Sequence, residues 1–215
     1  MCAHAAVLAR FSSVFPALLR EEGKALNLAL MNLYLRTLLV FLSSFFKETI
    51  RDILEPSILR LRVFPNDLDF NGHMNNGRYL TIMDLGRFDL VLRTGLMKLM
   101  LRQKSVPILA SAKIRYRQPL LPFQPYDLET RIICWDEKWA YLEQRFVIVD
   151  GPKKGAVAAI AIVKGSFFDK RAGKTVPTCD LMQAIGHDKP SPEFPSHIRK
   201  WQEAEEALRD ITRSE

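Results

Sequence analysis

The order of hydrophobic periods along the chain predicts an α+β domain, one long helix packed on an antiparallel sheet of about five strands. Three observations predict it. Residues 58–64 alternate apolar and polar side chains. A helix-period segment follows from Gly77 to about Thr94, and four further period-2 segments, separated by turn residues, come after it. An apolar stretch precedes this block and a polar helical segment follows it. The chain is therefore divided into an N-terminal apolar helical arm (1–55), a central domain (56–176), and a Pro-rich linker with a C-terminal helix (177–215). A length of 215 residues suits one domain with an arm.

In the arm, 15 of the 21 residues from 26 to 46 are apolar. About 20 such residues can cross a bilayer. Arg36 lies near the middle, however, at a cost of about 2.5–3.5 kcal/mol on insertion scales. Three arrangements stay open: a helix buried in the protein or in a dimer, a helix lying on a membrane surface with Arg36, Lys47 and Arg51 towards headgroups, or a span. Residues 43–46 (Ser-Ser-Phe-Phe) lack a small-x-small cleavage pattern, so a cleaved signal peptide is not expected. Met31 would serve as a start of its own, with residues 1–30 a dispensable extension.

Pro56 ends the arm, and the first strand, 58–64, carries Arg60 and Arg62 on one face. A loop dense in Asp, Asn and Gly runs from 65 to 76. In the helix, Leu80, Met83, Arg87, Leu90, Val91 and Thr94 fall on one broad face, and Gly95 is a stop signal with room for another helical piece through Met100. The remaining strands are expected at 108–117, 126–135, 139–149 and 156–168, joined by turns at 136–138 and 150–152. A linker at 177–195 leads to a helix at 197–213 that would dock through Trp201, Ala204 and Leu208.

Net charge is +7, and residues 63–187 hold +6 of it, 18 basic against 12 acidic side chains. That excess favours anionic partners: a phosphate-bearing cofactor, an acidic membrane surface or nucleic acid. The chain has no recognisable nucleic-acid-binding motif and its three tryptophans are not interleaved with its basic segment, so nucleic acid is not expected. Cys2, Cys134 and Cys179 form no C-x-x-C, and the four histidines show no ligand spacing. Free thiols in a reducing, cytoplasmic setting follow, without a structural metal. The composition excludes a disordered or collagen-like chain, and no solenoid period is present.

The segment Asp67-Leu68-Asp69-Phe70-Asn71-Gly72-His73-Met74-Asn75-Asn76 concentrates short polar side chains where a strand gives way to a helix. Unpaired N–H groups at a helix start suit a developing oxyanion. A carboxylate just upstream can attack a carbonyl or activate water beside it. Asp or Asn before a helix is also an ordinary cap, so the weight rests on the whole ten-residue pattern. Asp67 reads as a loop organiser. On the strand after the helix, Lys113, Arg115 and Arg117 share one face, a comb of positive charge able to receive phosphates or simply to meet solvent.

This pattern, followed by Tyr79 and a helix, resembles the signature of hotdog-fold thioesterases of the 4-hydroxybenzoyl-CoA thioesterase type. Residues 61–146 look most like the branch around thioesterase superfamily member six. The resemblance implies a hotdog fold, a sheet wrapped around a long central helix, in a homodimer or homotetramer. It implies hydrolysis of an acyl-CoA or acyl-carrier-protein thioester to free acid and thiol. Asp69 would be nucleophile or general base, with Asn71 and His73 as the polar pair that positions water or substrate. Gly72 and the following amides would polarise the carbonyl, Asn76 would cap the helix, and Tyr79, Met83, Lys113, Arg115 and Arg117 would contact substrate. Leu80 and Met83 would line an apolar tunnel, and Glu129 or Glu143 is a candidate for a further carboxylate. No cofactor is required beyond coenzyme A as part of the substrate. The alternatives are a non-catalytic, membrane-associated acyl-binding or scaffolding protein touching membrane through residues 26–46, and a hotdog hydratase or dehydratase.

Overall fold

The structure is a computed structural model describing residues 24–213, with side chains described from Leu33 to Ile211. Most of the 1–30 extension lies outside the described residues. The elements are α1 (Lys24–Ser44), β1 (Ser57–Arg62), a 3-10 turn (Pro65–Asp67), α2 (Asn76–Arg93), α3 (Leu96–Gln103), β2 (Ser105–Tyr116), β3 (Pro125–Trp135), β4 (Ala140–Ile148), β5 (Val157–Asp169), β6 (Lys174–Val176), α4 (Thr178–Ala184) and α5 (Ser196–Arg213). The expected long helix and five strands are present, with ends shifted by up to three residues. The expected linker differs, because it contains the one-turn-plus helix α4, and β6 adds a short strand after the 170–173 turn.

The strands form one antiparallel sheet in the order β1-β3-β4-β5-β2, with β6 paired to the end of β5. Register sets like against like across the inner face, with Leu59 opposite Leu128 and Phe146 opposite Ala159. Alternation along β3 buries Tyr126, Leu128, Thr130 and Ile132 under α2. The core between helix and sheet contains Tyr79, Ile82, Met83 and Leu85 from α2, with Tyr126, Leu128, Phe146, Ala161 and Val163 from the strands.

The buried stripe of α2 differs from the one expected from apolar spacing. It runs through Tyr79, Ile82, Met83, Gly86, Asp89 and Leu90, while Leu80 is exposed. Gly86 and Asp89 on this stripe are invisible to a count of apolar residues. Asp89 is fully buried and takes hydrogen bonds from Lys47 Nζ at 3.0 Å and from the Ser57 hydroxyl, with Arg93 at 3.5 Å. Gln144, also fully buried, donates through Nε2 to the Met83 carbonyl (3.0 Å) and Thr130 Oγ1 (2.9 Å), and accepts from Arg87 at 2.7 Å. Every amide atom of Gln144 thus has a partner, as burial of such a group requires.

α1 lies against α2 with Leu33, Arg36, Thr37, Val40 and Phe41 turned inward and Leu35, Leu39 and Leu42 exposed, and Phe46 in the turn after it is exposed as well. Arg36 and Lys47, expected at headgroups in the membrane-surface arrangement, are instead spent on fully buried carboxylates of the domain, Asp67 and Asp89. Among the described residues no helix is long and apolar enough to cross a membrane. α5 covers the outer face of the sheet, where Ile198 and Trp201 pack on Cys134, Tyr141 and Ile162. Its docking uses Ile198 and Trp201; Ala204 and Leu208 are exposed, contrary to expectation.

At Gly86 the helix approaches the sheet too closely for any side chain. A Cβ there would overlap Thr130 Oγ1 and come within 2.8 Å of Leu128 Cδ2 and 2.9 Å of Gln144 Nε2. Gly86→Ala gains about 1 kcal/mol of helix propensity. It is nevertheless expected to destabilise the protein by about 1–3 kcal/mol net, from overpacking and loss of the Gln144 bonds. Urea denaturation of the two proteins checks this, and an unchanged or raised midpoint would contradict the close approach.

Candidate active site

The motif forms a tight loop before α2. An isolated bridge pairs Leu68 with Met74, the Asp69 amide donates to the His73 carbonyl (2.9 Å), and the Gly72 amide donates to the Asp69 carbonyl (3.1 Å). Gly72 has φ +73° with open space around it, so conformation rather than crowding demands glycine there. Phe70 at the loop tip is 97% exposed.

Two of the three expected catalytic side chains meet inside this loop. The Asp69 carboxylate is 13% exposed, accepts from the Asn71 amide at 2.9 Å, and places its other oxygen 3.4 Å from His73 Nδ1. His73 is about one-third exposed. Asn71 reaches Asp69 through its backbone N–H, and the residue itself is exposed. The expected carbonyl-polarising role of the Gly72 amide is not met, because that amide closes the loop onto the Asp69 carbonyl. The amides of Met74 and Asn75 are likewise taken, by the carbonyls of Leu120 and Asp67.

The helix cap is Asn75, not Asn76. Asn75 has extended backbone angles and its side chain accepts from the Gly77 amide at 2.8 Å. Asn76 is already the first helical residue, and its carbonyl accepts from the Tyr116 hydroxyl at 2.9 Å. Tyr79, one turn on, is buried edge-on between Tyr116 and Phe146, and burial pushes its hydroxyl up to about 12. This contact brings the end of β2 to the helix entry. Lys113 and Arg115 on that strand, and Arg117 just beyond it, are exposed, while Ile114 packs into the core.

Asp67 organises the loop more completely than a surface turn residue would. It is fully buried. Its Oδ2 accepts from Arg36 (2.6 Å) and the Phe64 amide (2.9 Å), and its Oδ1 from Arg78 Nε (3.1 Å) and the second Arg78 nitrogen (2.9 Å). The Arg36 guanidinium also stacks over the Phe64 ring, 5.0 Å from its centroid. Arg36 and Arg78 were not singled out from the sequence for this site. The available signal was Arg36 itself, since a charge inside an apolar run needs a buried partner.

An apolar cavity of about 370 Å³ lies along the second half of α2. Leu85, Phe88 and Val91 form one wall, Leu96 and Met100 of α3 another, and Leu33 and Thr37 of α1 close a third. Met83, expected at a substrate tunnel, is fully enclosed in the core, and Leu80 faces out; neither lines this cavity. Arg87 is the basic group at its wall, linked to Asp84 and Gln144, and burial pulls its guanidinium below the ordinary value. Glu129 and Glu143 do not join Asp69. They lie on the outer face of the sheet, where Glu143 pairs with Arg131 and Arg145. Among the described residues no three His, Cys, Asp or Glu side chains come together as a metal site.

Comparison with known proteins bears on the family and the fold. Residues 63–202 match the model of the Thioesterase-like superfamily. Protein THEM6 of Xenopus laevis is 33% identical over 168 residues, covering 78% of this chain and 77% of the relative. A probable thioesterase of Saccharomyces cerevisiae, YBR096W, is 35% identical over 125 residues, 57% of this chain and 51% of the yeast protein. The crystal structure of YbaW, a probable thioesterase from Escherichia coli, superposes with a TM-score of 0.55 at 20% identity, over 61% of this chain and 96% of YbaW. A buried-helix sheet of hotdog type, the polar loop at its helix entry and these matches together place the chain in the thioesterase-like superfamily.

Proposed function

We propose that the protein hydrolyses acyl thioesters, acyl-CoA or acyl-carrier-protein, to free acid and thiol, with Asp69 as the reacting carboxylate. The observation that carries this reading is the Asp69 carboxylate itself. It is shielded from bulk water, held by the Asn71 amide and set 3.4 Å from His73 at the start of the central helix. As general base, Asp69 takes a proton from water while the oxygen adds to the thioester carbon, and collapse of the tetrahedral intermediate expels the thiolate. As nucleophile it forms a mixed anhydride with loss of thiolate, and water then cleaves the anhydride. With the amides of Gly72, Met74 and Asn75 engaged, the developing oxyanion falls to those of His73 and Asn76.

The apolar cavity along α2 suits the acyl chain, and its wall residues Leu85, Phe88 and Val91 take the role first given to Leu80 and Met83. The exposed Lys113, Arg115 and Arg117 suit the phosphates of coenzyme A. A second copy is expected to pair along β2, a twelve-residue strand at the sheet edge with Leu109 exposed.

Thiol release from short, medium and long acyl-CoAs by the wild type and Asp69→Asn tests the reading. Turnover falling at least ~100-fold in a folded Asp69→Asn protein is expected. Undiminished turnover would remove Asp69 from the chemistry. Binding of acyl-CoA without turnover by the wild type would favour the non-catalytic acyl-binding alternative.

A specific observation favours membrane-surface contact as well. Leu35, Leu39 and Leu42 recur at helical spacing on the outward side of α1, and Phe46, in the turn that follows the helix, is 92% exposed. The wild type is expected to sediment with vesicles of phosphatidylcholine and phosphatidylserine, and Leu39→Glu with Leu42→Glu to stay in the supernatant. Equal partitioning of the two proteins would rule this contact out.

A further inference from the structure

We propose that Arg36 is a positioning residue for the thioester site, acting through Asp67, so that α1 is a working part of the catalytic unit. The proposal rests on the reading of Asp69 as the reacting carboxylate.

Asp67 stands two residues before Asp69 and binds both ends of the loop that carries it. At the strand side its carboxylate accepts from the Phe64 amide, and its own amide donates to the Phe64 carbonyl at 2.8 Å. At the helix side its carbonyl accepts from the Asn75 amide at 2.8 Å, and its carboxylate accepts twice from Arg78. The remaining strong bond, 2.6 Å to Oδ2, comes from Arg36 on α1.

Both partners of that bond are withdrawn from water: Arg36 is 7% exposed and Asp67 not at all. Without the guanidinium, Oδ2 would keep a single neutral donor in a dry site, and the loop would relax to rehydrate it. Asp69, whose two oxygens are fixed by contacts inside the same loop, would move with it. A misplacement of this kind lowers the rate of the chemical step more than substrate affinity. The inward face of α1 also carries Leu33 and Thr37, one turn or one residue from Arg36, which close the apolar cavity. One helix face therefore meets both the reacting loop and the wall of the acyl site.

The test compares the full chain with Arg36→Met, Arg36→Lys, Lys47→Met and Asp69→Asn, on the best acyl-CoA of the panel. Arg36→Met is expected to lose at least ~10-fold in kcat with KM within about 2-fold, and Arg36→Lys to regain most of the loss. Lys47→Met releases the other end of the arm from Asp89. It is expected to lower the melting temperature and keep kcat. A loss carried by KM alone, or an equal kcat loss in Lys47→Met, would overturn the proposal, because either means that the arm merely supports the fold.

Hydrogen exchange gives a readout independent of turnover. The Asn71 and Gly72 amides should exchange at least ~10-fold faster in Arg36→Met and recover in Arg36→Lys. Unchanged exchange would overturn the positioning role. If Arg36→Met does not fold, Arg36→Gln takes its place under the same two criteria. An active Asp69→Asn protein would refute the reading of Asp69, whereas an inactive Asp69→Asn beside a fully active Arg36→Met would refute only the inference about Arg36.

Discussion

A single buried carboxylate, Asp67, ties together three parts of the molecule that are far apart in sequence. It fixes the exit of β1 through Phe64, the first turn of α2 through Arg78, and the arm through Arg36. Two guanidiniums around one carboxylate leave the cluster with net positive charge, Asp67 and Arg36 withdrawn from water and Arg78 partly exposed. Removing one member of such a pair typically costs about 3–5 kcal/mol, because the other charge is left buried. The loop that carries Asp69 hangs from this cluster at both ends; between them it is closed by the Leu68–Met74 bridge, the bonds of the Asp69 amide to the His73 carbonyl and of the Gly72 amide to the Asp69 carbonyl, the Asn71 amide on the Asp69 carboxylate, and the Met74 contact with Leu120.

The same use of polar groups recurs along the central helix. Asp89 is neutralised by Lys47 and Arg93 and bonded to Ser57, and Gln144 fills the space left by Gly86. These contacts attach both the arm and the sheet to α2 by geometry rather than by apolar area alone. They confine the arm in two places, Arg36 to Asp67 and Lys47 to Asp89, and leave its opposite face apolar and exposed. The arm is thereby built into the domain on one side and available to a surface on the other.

Much of the architecture was legible from the chain. Alternation at 58–64 and in the four later segments marks strands because one face of each must pack on the helix, and turn residues such as Asp136 and Gly151 bound them. The polar loop before the helix was legible as a motif because so many short polar residues at one junction are costly unless they bond to one another. Less legible was which face of α2 is buried, since Gly86 and Asp89 carry no apolar signal. The partner of Arg36 was hidden for a related reason: its pairing with Asp67 spans two elements, and spacing along a chain reports only local neighbours. The cap at Asn75 rather than Asn76 turned on backbone angles that adjacent asparagines do not distinguish. Glu129 and Glu143 were misjudged because the face a strand residue occupies depends on which side the helix packs, and here both face away from it.

The most direct measurement of the central claim is a double-mutant cycle on stability, Arg36→Met against Asp67→Asn, read by urea denaturation. If the arm and the reacting loop are joined by this buried pair, the double variant should be less destabilised than the sum of the single ones by about 1–3 kcal/mol. Additivity within about 0.5 kcal/mol would mean that the two side chains act independently, and that the loop carrying Asp69 owes nothing to the arm.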